Sequence, residues 1–492
     1  MEEPTADGWG ARLHQALARR FGIDTRGLAA YRIAIAALVL VDLFAYRLPD
    51  LGAFYTDDGV LPRSLLAETF PVAASISLHA VTGAWAGQLA LLSLTAAASA
   101  ALLVGYRTRW AAILTWLGLA SMQARNPHVL NAGDTLVLAT LFFGLFLPLG
   151  RRWSLDALHR SEESSAQADV VASPASVGLL LQIVVVYATN AVFKTRSSGW
   201  MQGTAVRRIF ALDDFTVRLG DGLAQVPELL VAANWVWFAA LIASPLLVLL
   251  PGWPRAAYAG LLAALHLGML ATLMLGVFPL VSIAALLVVV PPVAWDRLEA
   301  TATPLRRRIA ASIPSRTRSP GSPGLPEGLR ETGRDLVHSG LAVLVVAGLL
   351  WHAMALGFVA KPAALDQAGR AAEHEWRMFA PASTTYGYVE APAELGSGET
   401  VDAIQGEPYT RQPPGDLADA YPSTLWHRYL KDLPEVTDAE QAALAGYLCE
   451  QIRTSHGEAA ESLELVYVEH EIRLDGPDPV ERQTLHSQPC SG

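Results

Sequence analysis

Nine apolar runs occupy much of the first 357 residues and leave little choice of fold. They fall at 28–46, 85–104, 110–123, 135–149, 176–193, 232–250, 256–275, 277–292 and 336–357. About 20 apolar residues cross a bilayer as a helix. A backbone in lipid must satisfy its polar groups internally, and a helix does so within one segment. Composition agrees, with 52% hydrophobic and 17% charged residues, where a soluble domain carries about 25% charged. The runs predict a polytopic α-helical membrane protein with about nine transmembrane helices.

Beyond residue 357 the pattern changes. Residues 386–390 and 463–471 alternate apolar and polar side chains, as half-buried strands do. Residues 438–453 have helical spacing, with Ala442, Leu444, Ala445, Leu448 and Ile452. A C-terminal extracytoplasmic α+β domain is predicted. Charge divides at the same place. Residues 358–492 hold 9 Lys+Arg against 23 Asp+Glu, a net of −14, whereas the rest of the chain is at +4. An acidic domain of this kind argues against nucleic acid as a partner.

Short cytoplasmic loops collect arginine and lysine. Arg12, Arg19, Arg20 and Arg26 precede the first run; Arg107 and Arg109 follow the second; Arg151, Arg152 and Arg160 follow the fourth; Arg255 follows the sixth. A basic Pro/Ser-rich stretch follows the eighth. All of these lie on one side if each run crosses. Residues 1–27 then form a cytoplasmic N-terminal segment, and 28–293 a domain of about eight transmembrane helices. Residues 294–335 form a cytoplasmic linker, 336–357 a ninth helix, and 358–492 the acidic extracytoplasmic domain. The expected location is the cell membrane, with the bilayer itself as a partner. Because residues 1–27 are polar and amphipathic, the first run reads as a retained anchor rather than a secretory signal. One outer loop departs from the charge rule: 194–230 carries Lys194, Arg196, Arg207, Arg208 and Arg218, so either the number of crossings differs by one here or these charges serve something other than topology. Its interspersed apolar residues suit helices lying in the interface.

Ionisable and polar residues inside apolar runs are the candidates for chemistry. His266 lies midway along the seventh run and suits either ligand bonding and proton relay or a bond to a neighbouring helix. Tyr187, Asn190 and Lys194 sit at i, i+3 and i+7 of the fifth run, on one helical face. Only three lysines occur, and Lys194 is the one within the first 357 residues. A desolvated lysine can lose its proton near neutral pH and arginine cannot, so Lys194 is a candidate base as well as a candidate snorkelling anchor. Arg32 and Asp42 in the first run are about 15 Å apart along a helix axis and do not pair directly. Asn131 and Asp134 can line a polar mouth or cap the helix that follows. Cys449 and Cys490 both fall in the tail. In an oxidising compartment they can join, which would contribute roughly 4 kcal/mol in the chain-entropy model; two free thiols are the alternative. No CxxC or Cys/His cluster points to a metal.

Several of these segments together resemble a known family. YRIAIAALVLVDL…FYTDDGVLPRSLL, NAGDTLVLATLFFGLFLPLGRRWSLDAL and LHLGMLATLMLGVFPLVSIAALL are similar to the HTTM (horizontally transferred transmembrane) family. These are prokaryotic relatives of vitamin K-dependent gamma-glutamyl carboxylase. WRMFAP at 376–381, YPSTLWHRYL at 421–430 and YLCEQI at 447–452 resemble the extracytoplasmic domain common in prokaryotic members. The resemblance implies that Lys194, followed by Trp200 and Gly203, matches the lysine that deprotonates vitamin K hydroquinone. It also matches Arg32 and Asp42, the WSLD at 153–156, and His266 with Gly276-Val277-Phe278-Pro279. It stops at the carboxylase histidine that follows an asparagine pair: here the chain reads Asn131-Ala132-Gly133-Asp134, with only His128 nearby. No counterpart of the large propeptide-binding portion is evident.

Two expectations follow from different classes. In the first, the chain is a carboxylase-like enzyme acting with a membrane quinone such as menaquinone or vitamin K hydroquinone, with Lys194 and His266 catalytic. Tyr187, Asn190, Trp200, Arg32, Asn131 and Asp134 would then bind the cofactor. In the second, it is a non-catalytic membrane scaffold whose acidic tail binds a protein, for instance a thiol-disulfide oxidoreductase-like partner.

Overall fold

Helix starts and stops in this chain are set by short polar signals at the ends of the apolar runs. In the computed structural model, residues 18–158, 169–311, 327–360, 376–411, 417, 421–474 and 476–490 are described. Helix α1, Thr25–Val41, is capped by Asp24, whose carboxylate accepts the Arg26 backbone N–H at 2.8 Å. It runs on as a π-helical turn, Asp42–Arg47. Helix α2, Trp85–Val104, stops at Gly105, a left-handed C-cap with φ of 71°. Helix α3, Thr108–Arg125, begins at once, and Asp156 accepts the backbone N–H groups of Arg107 (2.9 Å) and Thr108 (2.8 Å). Helix α4, Ala132–Gly144, and helix α5, Pro174–Thr195, each open on a capping box, at Asn131 and Ser173. Then come α6, Pro227–Ile242, α7, Gly252–Thr272, and α8, Phe278–Leu286. A bend of 102° separates Phe278–Val289 from α9, Pro292–Ala311. Helix α10 spans Glu327–Ala355.

Every apolar run read from the sequence is helical over most of its length. Four helical stretches are long and apolar enough to cross a membrane, Thr25–Arg47, Trp85–Val104, Pro174–Thr195 and Glu331–Ala355, or five if the bent pair counts as one. Helices α4 and α6 are apolar but shorter. The 294–335 stretch is helical at both ends, in α9 and α10; its middle, 312–326, and the N-terminal residues 1–17 lie outside the described residues.

The loops gather at two ends. At one, Arg26 bonds Asp296 (2.8 Å) and Glu299 (3.1 Å), Trp153 meets Trp295, and strand β1 (Ile23–Asp24) pairs with β2 (Val170–Val171). At the other lie 50–63, 126–134, 194–217 and 273–278, with the C-terminal domain docked on them. The 194–230 loop contains three short helices, Ser198–Met201, Ala205–Ile209 and Gly220–Ala224. Two of its arginines bond backbone: Arg196 donates to the Leu356 carbonyl at 2.6 Å and Arg218 to that of Leu270 at 3.1 Å. Those positive charges therefore hold helix ends.

The C-terminal domain is a six-stranded antiparallel sheet with helices against it. Strand β7 (Ala460–Glu471) pairs with β3 (Thr385–Glu390), β4 (Pro392–Leu395) and β8 (Val480–Pro489), and β5 (Thr400–Asp402) and β6 (Glu407–Pro408) extend the sheet beyond β4. Helices α11 (Thr424–Lys431) and α12 (Asp438–His456) start at Ser423 and Thr437 caps. Leu425, Leu430, Leu444, Leu463 and Leu465 are buried between them and the sheet. A disulfide joins Cys449 on α12 to Cys490 after β8, with Cα atoms 5.4 Å apart. Reducing it, or changing both cysteines to serine, is expected to lower the stability of this domain by about 2–4 kcal/mol; thermal unfolding with and without reductant checks this, and an unchanged midpoint would deny the cross-link that role.

Candidate functional site

Tyr187, Asn190 and Lys194 project from one face of α5 near its C-terminal end and are all buried. After Arg196 the chain folds back through the short Ser198–Met201 helix to Gly203, whose φ of 76° favours glycine. A Cβ at Gly203 would also come within 3.1 Å of Trp235 Nε1. This return sets the Trp200 ring beneath Lys194, with Nζ 3.9 Å from the ring centre, a cation–π distance. The Asn234 side-chain amide fixes the turn by donating to the Trp200 carbonyl at 3.1 Å.

His266 faces the same space from α7. Its Nδ1 is 2.8 Å from the Leu262 carbonyl oxygen. A carbonyl only accepts, so Nδ1 is the protonated nitrogen and Nε2 carries the lone pair in the neutral ring. That Nε2 is buried and has no partner among the described residues. Tyr187, Trp237 and Phe278 surround the imidazole, with ring centres 5.9, 5.4 and 6.0 Å away.

Between α5, α6 and α7 lies a cavity of about 440 Å³, a size typical of small-molecule sites, which run from roughly 300 to 1,000 Å³. Its walls are mostly apolar, and the side chains that bring hydrogen-bonding groups to it include Asn131, Tyr187, Asn190, Lys194, His266 and Thr272.

The roof comes from the C-terminal domain, through Met378 and Phe379. The Asn190 side-chain amide points at three carbonyls, those of Trp376 (3.1 Å), Arg377 (2.8 Å) and Met378 (3.2 Å). Lys194 Nζ donates to the Met378 carbonyl at 2.8 Å, and Trp200 Nε1 to that of Phe379 at 2.7 Å. Met378 and Phe379 have φ of 22° and 58°. Left-handed backbone at such residues costs on the order of 1–3 kcal/mol each and persists where its surroundings over-determine it. Here the donors of α5 and the Trp200 turn supply that constraint.

The structure thus brings Lys194, His266, Tyr187, Asn190, Trp200 and Asn131 to one cavity. Asn131 reaches its edge as the cap of α4, accepting from Gly133 N at 2.7 Å while its amide lies 3.5 Å from the Leu275 carbonyl. Asp134 stands behind that wall, where it closes the capping box and bonds Arg47 and Arg428. Arg32 lies at the opposite end of α1, bonded to the Trp153 carbonyl, and does not touch the cavity. Asp42 pairs with Arg47 at 2.6 Å, a match made by the π-turn, which stacks residues five apart. Arg47, Arg428 and the Met378–Phe379 roof were not singled out by sequence; the sole signal for the roof was the WRMFAP motif.

A second set of bonds seats the domain over the roof. His128 Nε2 lies 2.6 Å from Glu440 Oε1, and His427 Nε2 lies 3.2 Å from Asp214 Oδ2. Arg428 Nη1 donates to the Val129 carbonyl at 3.0 Å. Ser423 bonds Asp50. Burial pushes the Glu440 carboxyl up, but its hydrogen bonds to His128 and Thr437 outweigh that and hold it below the usual carboxylate range.

Residues 22–295 match the HTTM domain family, from β1 to the start of α9. The chain belongs to this family. No curated protein and no solved structure matches it. The HTTM domain therefore supplies the cavity walls, and the roof lies outside it, as do Cys449 and Cys490.

Two predictions follow from this geometry. Asn190→Leu removes the donor shared by three roof carbonyls and should loosen residues 376–379 by about 1–3 kcal/mol; hydrogen exchange of those amides reads this, and unchanged protection would mean the roof is held by other bonds. Because the folded Glu440 value is depressed, its contribution to docking is present above the unfolded carboxyl value of about 4.3 and is lost as pH falls through the folded value. Acid release of the domain, followed by protease sensitivity of the 126–131 loop that carries His128, should be blunted in Glu440→Gln, which removes the titrating group.

Proposed function

We propose that this HTTM protein is a membrane enzyme of the carboxylase-related kind that binds a reduced isoprenoid quinone in the cavity beneath Met378 and Phe379. The observation that carries the reading is the convergence in one apolar chamber of Lys194 with the Nε2 of His266, which has no partner among the described residues. Such a chamber fits an amphipathic ring: apolar walls for its faces and chain, and a few polar atoms for its hydroxyls. When bound, the quinol supplies two electrons and acidic ring hydroxyls.

In this reading Lys194 accepts a proton from a ring hydroxyl. As an amine it can give one N–H to the Met378 carbonyl and keep a lone pair directed elsewhere. His266 Nε2, with Nδ1 committed to Leu262, accepts a hydrogen bond from a second hydroxyl. Trp200 stabilises the ammonium that forms, through its ring face. The roof excludes water from the transfer.

The same reading carries a topology. Nine helices cross, the arginine-rich end is cytoplasmic, and the acidic domain stands outside, at the end where Lys194 lies. A proton released from the cavity would then leave on the extracytoplasmic side.

A second reading is favoured by one observation: Asn190, Lys194 and Trp200 all donate to roof carbonyls. In that case the polar face of α5 serves as a clamp, the protein is a scaffold, and its acidic domain is what meets a protein partner.

Purified protein incubated with reduced quinones and oxygen, with oxidised quinone and epoxide followed, separates the two. Lys194→Ala should lower turnover by about 100-fold or more, the usual contribution of a general base. His266→Phe should weaken it while keeping the ring volume. Gly268 lines the cavity at an exposed position and a Cβ there meets nothing within 4 Å, so Gly268→Phe should narrow the open side of the chamber and weaken quinone retention with the fold intact. Equal turnover by Lys194→Ala and wild type would remove the proposed base and leave the clamp.

A further inference from the structure

The end of the bundle away from the C-terminal domain holds a second cavity, of about 760 Å³. It lies between the start of α3, the turn that follows α4, and the first turns of α10. Arg109 contributes from α3, and Arg334 and His338 from α10. Beside them Leu145, Phe146 and Val337 form an apolar wall.

Neither arginine in this space has a strong carboxylate partner among the described residues. Arg109 makes no ion pair among the described residues. Arg334 is 3.7 Å from Asp335, and both side chains are exposed, a pairing of little strength. Asp156 also lines the cavity, but its oxygens are taken by the Arg107 and Thr108 backbone N–H groups and by the Thr108 hydroxyl at 2.7 Å. Trp110, Trp153 and Phe146 are exposed around the same end. Aromatic side chains at this position are those that settle at headgroup depth. Helix α10, which closes one side, is only 6% buried along its apolar window, so most of it is left for lipid to cover.

We propose that this cavity binds an anionic phospholipid, its phosphate held by Arg109, Arg334 and His338 and one acyl chain lying along Phe146 and Val337. Basic pockets between helices near the cytoplasmic face recognise such headgroups. The lipid would fill the seam between α10 and the HTTM helices, and so anchor the helix that carries the roof domain. A free phosphate would engage the same arginines but leave the apolar wall bare. The inference shares the membrane placement of the chain and is independent of what the other cavity binds.

The test is native mass spectrometry of the full chain, delipidated in mild detergent and titrated with phosphatidylglycerol, phosphatidylcholine or inorganic phosphate. Phosphatidylglycerol should be retained in preference to phosphatidylcholine. The Arg109→Gln/Arg334→Gln protein should lose that preference by about thirtyfold, each basic group contributing about fivefold near an anionic lipid. Should this pair fail to purify as a monodisperse species, Val337→Trp, which fills the apolar wall, should weaken retention while Arg109→Lys/Arg334→Lys preserves it. Equal retention of the two lipids, or unchanged retention in both the glutamine and tryptophan variants, would overturn the proposal. So would displacement of the lipid by millimolar phosphate, which would mark a simple anion site.

Discussion

Asp134 accepts Arg47 on one carboxylate oxygen and Arg428 on the other, and its second oxygen also takes the Asn131 backbone N–H. Three parts of the chain meet at this group: the π-turn that ends α1, the cap of α4, and α11 of the C-terminal domain. All three side chains are buried. Removing one partner from such a buried cluster leaves an uncompensated charge and typically costs about 3–5 kcal/mol. The cluster fixes the height at which the domain sits, and through it the position of Met378 and Phe379 over the cavity. Arg47 also donates to the Tyr55 hydroxyl at 2.6 Å, which ties the 50–63 loop into the same cluster.

Asn190 and Lys194 show how one polar helical face can serve two ends. Each side chain bonds backbone carbonyls of the roof, and each also lines the chamber below it. Roof and chamber are therefore coupled through shared atoms. A ligand that drew Lys194 toward itself would compete with the Met378 carbonyl, and release of that carbonyl would relax a backbone held in a left-handed conformation. The HTTM walls and the C-terminal domain are thus parts of one site.

Much of the fold was legible in the residue pattern because helices in an apolar chain carry their own boundaries. The run at 85–104 coincides with α2, and the run at 110–123 extends by one turn or less to become α3. The i, i+3, i+7 spacing of Tyr187, Asn190 and Lys194 gave their common face directly, since that relation is local. The partners of Asp134 and Asn190 were not legible. Arg428 and Met378 lie 294 and 188 residues away from them, and no local periodicity encodes such a meeting. Arg47 was missed for another reason: regular α-helical spacing does not bring it onto Asp42, and only the π-turn does. Arg32 matched a family pattern, yet it lies at the far end of α1, where the Trp153 carbonyl holds it.

The roof is the last portion of the chamber to be translated. Floor and walls come from residues 131–278, and the cover from residues 376–379, on the far side of α10. Between the translation of Phe278 and that of Phe379, the chain holds the wall residues of the chamber without the residues that cover it. A nascent chain halted before Trp376 would possess the full complement of wall residues, with the Asn190 amide and Lys194 amine lacking the carbonyls they hold in the finished molecule.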